Sequence, residues 1–313
     1  MDKINWKLLL ELDKNPRASF NKLGKSARVS KEVAQYRFKQ LVKKKILTGF
    51  YAFISISKLG FLTNKILIKY KSVTTDVQKQ IVEFVLKHKS VAWAGSCEGA
   101  WDLIITTIAD STKEFTEFYT DFFGKFGKYF KQKEILFPID DYILNDKYLS
   151  GGEMLYKKRL DFHEPLSHMD DIDLEIIRQI SLNSRATFTE IGKKVKLSYW
   201  AVAQRYKKLI DGGMVIALKP RIDFRKLGFA YYHILIELSN EKRRKDLIMY
   251  YTQQKDCVMI MSHCGYYSLH LEFVMKPEDI KSVIVDLRER FGEDIMSYEP
   301  LLILEEYVMN LVR

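Results

Sequence analysis

Apolar residues fall at helical spacing in two places far apart in the chain. Ile4, Leu8, Leu9 and Leu12 make the first set, and Ile172, Ile176, Ile177 and Ile180 repeat it 168 residues later. That period predicts an amphipathic helix at each place. Asn15 and Asn183 are expected to end these helices in a left-handed conformation. Ser19 and Thr187 suit the N-cap of a second, short helix, and Ser30 and Ser198 that of a third. The third helix is expected to turn Val33, Ala34, Phe38 and Leu41 inward, with Ala201, Val202, Tyr206 and Leu209 as their counterparts. Two short helices joined by a tight turn predict a helix-turn-helix. ILTGFYAFIS and MVIALKPRIDF, the stretches that follow, read as wing hairpins.

The rest of each half alternates strand and helix patterns in the order β-α-β-β-α-β. In the first half strands are expected near 64–71, 91–98, 101–108 and 130–143, with helices near 74–88 and 112–127. In the second half strands are expected near 231–238, 257–263, 267–274 and 294–309, with helices near 240–254 and 277–291. This is the ferredoxin-like pattern.

The two halves are copies. Residues 1–61 lie over 169–229 without a gap, from MDKINWKLLLELDKNPRASF on MDDIDLEIIRQISLNSRATF to KLGF on KLGF, with 18 identities in 61 positions. The expected fold is therefore α+β, two winged helix-turn-helix domains alternating with two ferredoxin-like (βαββαβ) sensor domains. The boundaries read 1–61, 62–145, a linker over 146–168, 169–229 and 230–313.

Charge separates the two kinds of domain. The chain has 313 residues and a net charge of +11. Residues 1–57 carry 13 basic and 4 acidic side chains, and residues 169–226 carry 12 and 7, so the remainder is net −3. The cationic surface belongs to the helix-turn-helix units, where an anionic partner would sit. Three cysteines are too few for a disulfide scaffold and fit a reducing, cytoplasmic setting. The opening MDKINWKLLLELDKNPR reads as a helix rather than an export signal, and no run approaches a membrane span.

In this order the motifs resemble the Lrp/AsnC family of transcription regulators, twice over. They are NPRAS (Asn15, Arg17, Ser19) and NSRAT (Asn183, Arg185, Thr187), Ser30 with Arg37 and Leu41, Ser198 with Arg205 and Leu209, and the K-L-G after each wing. The resemblance implies double-stranded DNA as partner, an effector such as an amino acid, and self-association through the effector-responsive (RAM) domains. The exposed positions of the recognition helices then become Lys31, Glu32, Gln35 and Tyr36, and Tyr199, Trp200, Ala203 and Gln204. Gln pairs with adenine, Lys reaches guanine, and aromatic rings touch thymine methyls. Arg37 and Arg205 are expected on a phosphate or on the neighbouring helix, and Lys39 and Lys207 on phosphates. Lys219 and Arg221 make the second wing basic. The family's G-x-Y-D-like turn, where effectors bind at subunit interfaces, is matched by Gly99, Trp101 and Asp102, and by Gly265 and Tyr267 with Ser268 in place of the acid.

Cys257, His263, Cys264 and His270 are the one cluster of metal-ligating residue types, without the close pairing of structural zinc sites. No metal or cofactor is expected. Siroheme decarboxylases also resemble this family and are the enzyme alternative, with His263 and His270 as the candidates. An architectural, DNA-compacting role is a further alternative.

Overall fold

The computed structural model describes residues 1–309; the last four positions of the expected second sensor domain lie outside the described residues. Each repeat opens with three helices. They are α1 (Lys3–Lys14), α2 (Phe20–Ala27) and α3 (Lys31–Lys43), and then α7 (Asp171–Leu182), α8 (Phe188–Val195) and α9 (Tyr199–Asp211). The Ser19, Ser30, Thr187 and Ser198 hydroxyls each accept from the backbone N–H three residues on, as N-caps do. Asn15 and Asn183 end α1 and α7 as expected, but both are extended rather than left-handed. Their side chains instead accept from the N–H of Arg17 and of Arg185, turning the chain sharply into the next helix. Val33 also differs, lying 40% exposed at the start of α3.

The expected wings are not hairpins within each copy. Each copy supplies one strand, β1 (Leu47–Ile54) and β7 (Val215–Ile222), and the two pair antiparallel with each other. Phe50 faces Pro220, Tyr51 faces Lys219, and Ala52 faces Leu218. Phe50 and Leu218 are equivalent in the repeat, as are Ala52 and Pro220, so exchanging the copies maps the ladder onto itself. A local two-fold therefore passes through the Tyr51–Lys219 pair. Pairing with the other copy gives a lone strand the partner it lacks at home.

The sensor strands follow the same logic. The first half has β2 (Leu62–Tyr70), α4 (Thr75–Lys87), β3 (Val91–Glu98), β4 (Leu103–Ala109), α5 (Thr112–Phe126) and β5 (Phe130–Leu144). After α6 (Lys147–Ser150), β6 (Lys157–Asp161) and the second reader, the other half has β8 (Ala230–Leu238), α10 (Arg244–Gln253), β9 (Cys257–Cys264), β10 (Leu269–Met275), α11 (Ile280–Phe291) and β11 (Ile295–Met309). The 15-residue strands β5 and β11 each serve both halves. β5 pairs with β2 over its first part and β9 over its second; β11 pairs with β8 and then β3. Hydrogen bonding thus closes eight strands into a ring in the order β2-β4-β3-β11-β8-β10-β9-β5, with no free edge inside it.

Alternate residues divide the ring. Ile66, Ile68 and Ile105 face outward onto Ile81 and Val85 of α4 and onto Phe118, Phe122 and Phe126 of α5. Ile234, Ile236, Leu269, Leu271 and Phe273 do the same against α10 and α11. The segment 146–168, expected as a linker, is built into the fold. β6 extends the sheet from β5, and Lys147 is fully buried, donating to the carbonyls of Thr252 and Gln254. Those two carbonyls, rather than solvent, hold its ammonium.

Gly99 and Gly265 have φ of +139° and +144°. A Cβ on Gly99 would lie 2.8 Å from the Pro300 carbonyl oxygen, and one on Gly265 2.7 Å from Leu136 Cδ2, both on the long strands from the other half. Gly99→Ala is therefore expected to cost at least about 1–3 kcal/mol, as strained backbone does. Urea denaturation of the variant checks this; an unchanged midpoint would contradict it.

Candidate nucleic-acid interface and barrel chamber

Both recognition helices present an open face. Lys31, Glu32, Tyr36 and Lys39 of α3 are exposed, and Gln35 is half-buried. On α9, Tyr199, Trp200, Gln204 and Lys207 are exposed and Ala203 is half-buried, with Trp200 standing 79% exposed. Arg37 and Arg205 turn back to the first helix of their own reader. Arg37 bonds Asp2 at 2.6 Å, and Arg205 bonds Asp170 and Asp173 at 2.8 Å. The Asp170 carboxyl is held below its usual range by the Asp173 N–H it caps, and further by Arg205. These arginines brace the recognition helices, the neighbouring-helix contact expected as one of their two roles.

The two readers also grip each other. Arg17 donates to the Ser184 carbonyl and lies over the rings of Phe188 (4.4 Å) and Tyr206 (5.3 Å). Arg185 donates to the carbonyls of Pro16 and Ala18 and lies over Phe20, Phe38 and Phe50. The contacts are reciprocal, since Arg17 is equivalent to Arg185 and Pro16 to Ser184.

Lys219 is a correction. Expected on a basic wing, it is 5% exposed, and its ammonium donates to Asp13, Asp146 and the Leu144 carbonyl. Burial opposes its charge, but the two carboxylates outweigh that and hold it well above the ordinary lysine range. Arg221, two residues on, is exposed and lies over the Tyr51 ring.

The G-x-W-D turn and its counterpart form a packed corner, not an open pocket. Trp101 and Tyr267 are 2% and 3% exposed, and the Trp101 indole N–H donates to the Tyr267 hydroxyl across the two halves at 3.1 Å. With Leu67, Leu136, Leu235 and Leu301 they plug one end of the ring. Asp102 accepts from the Tyr70 N–H at 2.7 Å and from Lys69 at 2.9 Å, so both its oxygens are taken locally.

The other end of the ring is polar. A cavity of about 220 Å³ lies between it and the β1–β7 ribbon, lined by Lys65, Asp141, His263 and Glu272 among others. His233 and His270 stand behind Glu272, their rings 4.5 Å apart. Lys65 Nζ is 3.1 Å from His270 Nδ1. Burial, reinforced by Lys65, lowers all three histidines well below the ordinary range. Burial also raises Asp141 to about 8 and Glu272 to about 7. Both nitrogens of His233, Nδ1 of His263, Nε2 of His270 and one Asp141 oxygen have no hydrogen-bond partner.

Of the four residues in the expected metal-type cluster, His263 and His270 come together here. Cys257 is buried in the core outside the ring and Cys264 is exposed. His233, Lys65, Glu272 and Asp141 were not singled out from sequence. The available signal was a polar residue opening an otherwise apolar strand in both copies, KILI at Lys65 and HILI at His233.

The AsnC-type helix-turn-helix domain family matches residues 169–210. The transcriptional regulator LrpA of Bacillus subtilis is 32% identical over 109 residues, which is 34% of this chain and 79% of that protein. A regulator of Pyrococcus abyssi known only by its helix-turn-helix type is 30% identical over 115 residues, 36% of this chain and 77% of that protein. The chain belongs to the Lrp/AsnC family of helix-turn-helix transcriptional regulators. Among solved structures, the siroheme decarboxylase NirDL aligns with 99% of this chain and 93% of its own at a TM-score of 0.63, with 15% identity. At that identity the likeness is one of fold, and a fold does not fix a function.

Proposed function

We propose that this chain is a sequence-specific DNA-binding transcription regulator whose two covalently joined halves act as an intramolecular pseudo-dimer. The observation that carries the reading is the pair of open recognition helices held by reciprocal contacts on the most basic part of the chain. Groove reading by a helix-turn-helix needs one exposed helix per half-site and a fixed relation between the two. The ribbon and the Arg17 and Arg185 contacts supply that relation inside one chain. The two helices differ, Lys31 and Gln35 against Tyr199 and Trp200, which favours an asymmetric or imperfectly palindromic operator. A small effector, such as an amino acid, is proposed to modulate binding. A cavity of about 220 Å³ lies below the roughly 300–1,000 Å³ of pockets for drug-sized ligands. That suits a compact ligand better than a tetrapyrrole. Among the described residues no helix is long and apolar enough to cross a membrane.

Titration of genomic DNA fragments against salt tests the reading. Log affinity is expected to fall linearly with log salt, with a slope of about −0.9 per phosphate contacted. Replacing Lys31 and Gln35 by Ala is expected to remove sequence preference while leaving non-specific binding, and Trp200 fluorescence is expected to change on binding. A flat salt response, or no binding to any fragment, would overturn the proposal.

A further inference from the structure

We propose that His233, His270 and Glu272 bind one divalent transition-metal ion inside the ring, next to the cavity that Glu272 also lines. Their ligand atoms lie within 4.8 Å of one another, and all three residues are buried. Glu272 Oε1 is 3.5 Å from His233 Nε2 and 3.9 Å from His270 Nε2. Those two nitrogens have no hydrogen-bond partner. Buried polar atoms in folded proteins are nearly always paired, so unpaired nitrogens converging on a carboxylate oxygen need an explanation. An ion between them satisfies all three at once.

The surroundings are those of a ligand set held in place from behind. The Tyr231 hydroxyl bonds Glu272 Oε2, which leaves Oε1 turned toward the two imidazoles. Lys65 Nζ lies 3.1 Å from His270 Nδ1 and packs that edge of the ring, so the opposite edge, with Nε2, is turned toward Glu272. Such outer contacts orient metal ligands. Two imidazoles and a carboxylate suit zinc, cobalt or ferrous iron rather than magnesium or calcium. Glu272 also lines the cavity, the side from which water or a small ligand would approach the ion.

The duplication sets the number of ions. Glu272 pairs with His233 across the ladder, as Thr106 pairs with Lys65. His270 pairs with Leu235, as Ile104 pairs with Leu67. The first half therefore offers lysine, isoleucine and threonine where the second offers two histidines and a glutamate. One ion per chain is expected, not two.

Equilibrium dialysis of the purified full chain against Co(II) tests this, with visible ligand-field absorption and paramagnetically shifted ring-proton signals from two histidines as readouts. One bound ion per chain is expected. His233→Gln, His270→Gln and Glu272→Gln are each expected to weaken binding by more than the roughly 10–100-fold that losing an outer-shell partner costs. His163→Ala and His168→Ala, at exposed positions, should leave it unchanged. Circular dichroism of the three chamber variants separates loss of the ion from loss of the fold. Failure to retain Co(II) at millimolar concentration, or retention that survives in folded chamber variants, would overturn the proposal. DNA titration without metal tests the regulator reading separately, so either can fail alone.

Discussion

Lys219→Met is expected to destabilise the protein by about 3–5 kcal/mol, the cost of removing one partner from a buried ion pair. All three ammonium hydrogens are used, on Asp13 at 2.9 Å, Asp146 at 2.6 Å and the Leu144 carbonyl at 3.1 Å. Methionine fills the same space, so the loss is electrostatic rather than a cavity. It leaves the fully buried Asp13 and the mostly buried Asp146 as adjacent anions without a cation. The hydroxyls of Tyr156 and Tyr148, each 3.2 Å from one of the carboxylates, cannot neutralise them. Adding Asp13→Asn and Asp146→Asn to Lys219→Met should restore much of the loss, because neutral amides can stay buried where unpaired carboxylates cannot. Urea unfolding of the single and triple variants measures both effects. A single variant within about 0.5 kcal/mol of the parent, the range of ordinary surface substitutions, would show that the network carries no such weight.

That network also shows where sequence stops being informative. Lys219 sits beside Pro220 and Arg221 in a stretch that reads as a basic wing, and its carboxylate partners lie 206 and 73 residues away. The helices of the readers were legible because their causes are local: a cap hydroxyl, an apolar period, a short turn. The wing was misread because a strand does not say which strand it will pair with, and β1 finds its partner in the other copy. The length of β5 and β11 was visible in their long patterns. Their sharing between halves was not, because the second part of each strand pairs with residues more than a hundred positions distant. The chamber was half visible: His263 and His270 stood out as residue types, but His233 and Lys65 were not singled out, because only the closed ring brings them to the other two.

The same long-range pairing explains what the arginines of the NPRAS and NSRAT motifs hold. Arg17→Ala combined with Arg185→Ala is expected to uncouple the two readers. Each guanidinium bonds backbone carbonyls of the opposite copy and lies on its aromatic rings. A charged hydrogen bond contributes about 1.5–3 kcal/mol, and a cation on an aromatic face about 0.5–2 kcal/mol. Each single variant is therefore expected to lose about 2–4 kcal/mol, and the double variant more. The β1–β7 ribbon remains, so the readers stay tethered but no longer hold one fixed relation. If they act as a pair, the double variant should keep the salt-dependent, non-specific part of its DNA affinity and lose most of its preference for a two-site operator over a single half-site. Competition binding with operator and half-site duplexes measures that ratio, and circular dichroism checks that each reader still folds. A folded double variant with an unchanged ratio would show that the halves read DNA independently. The arginine contacts would then serve stability alone.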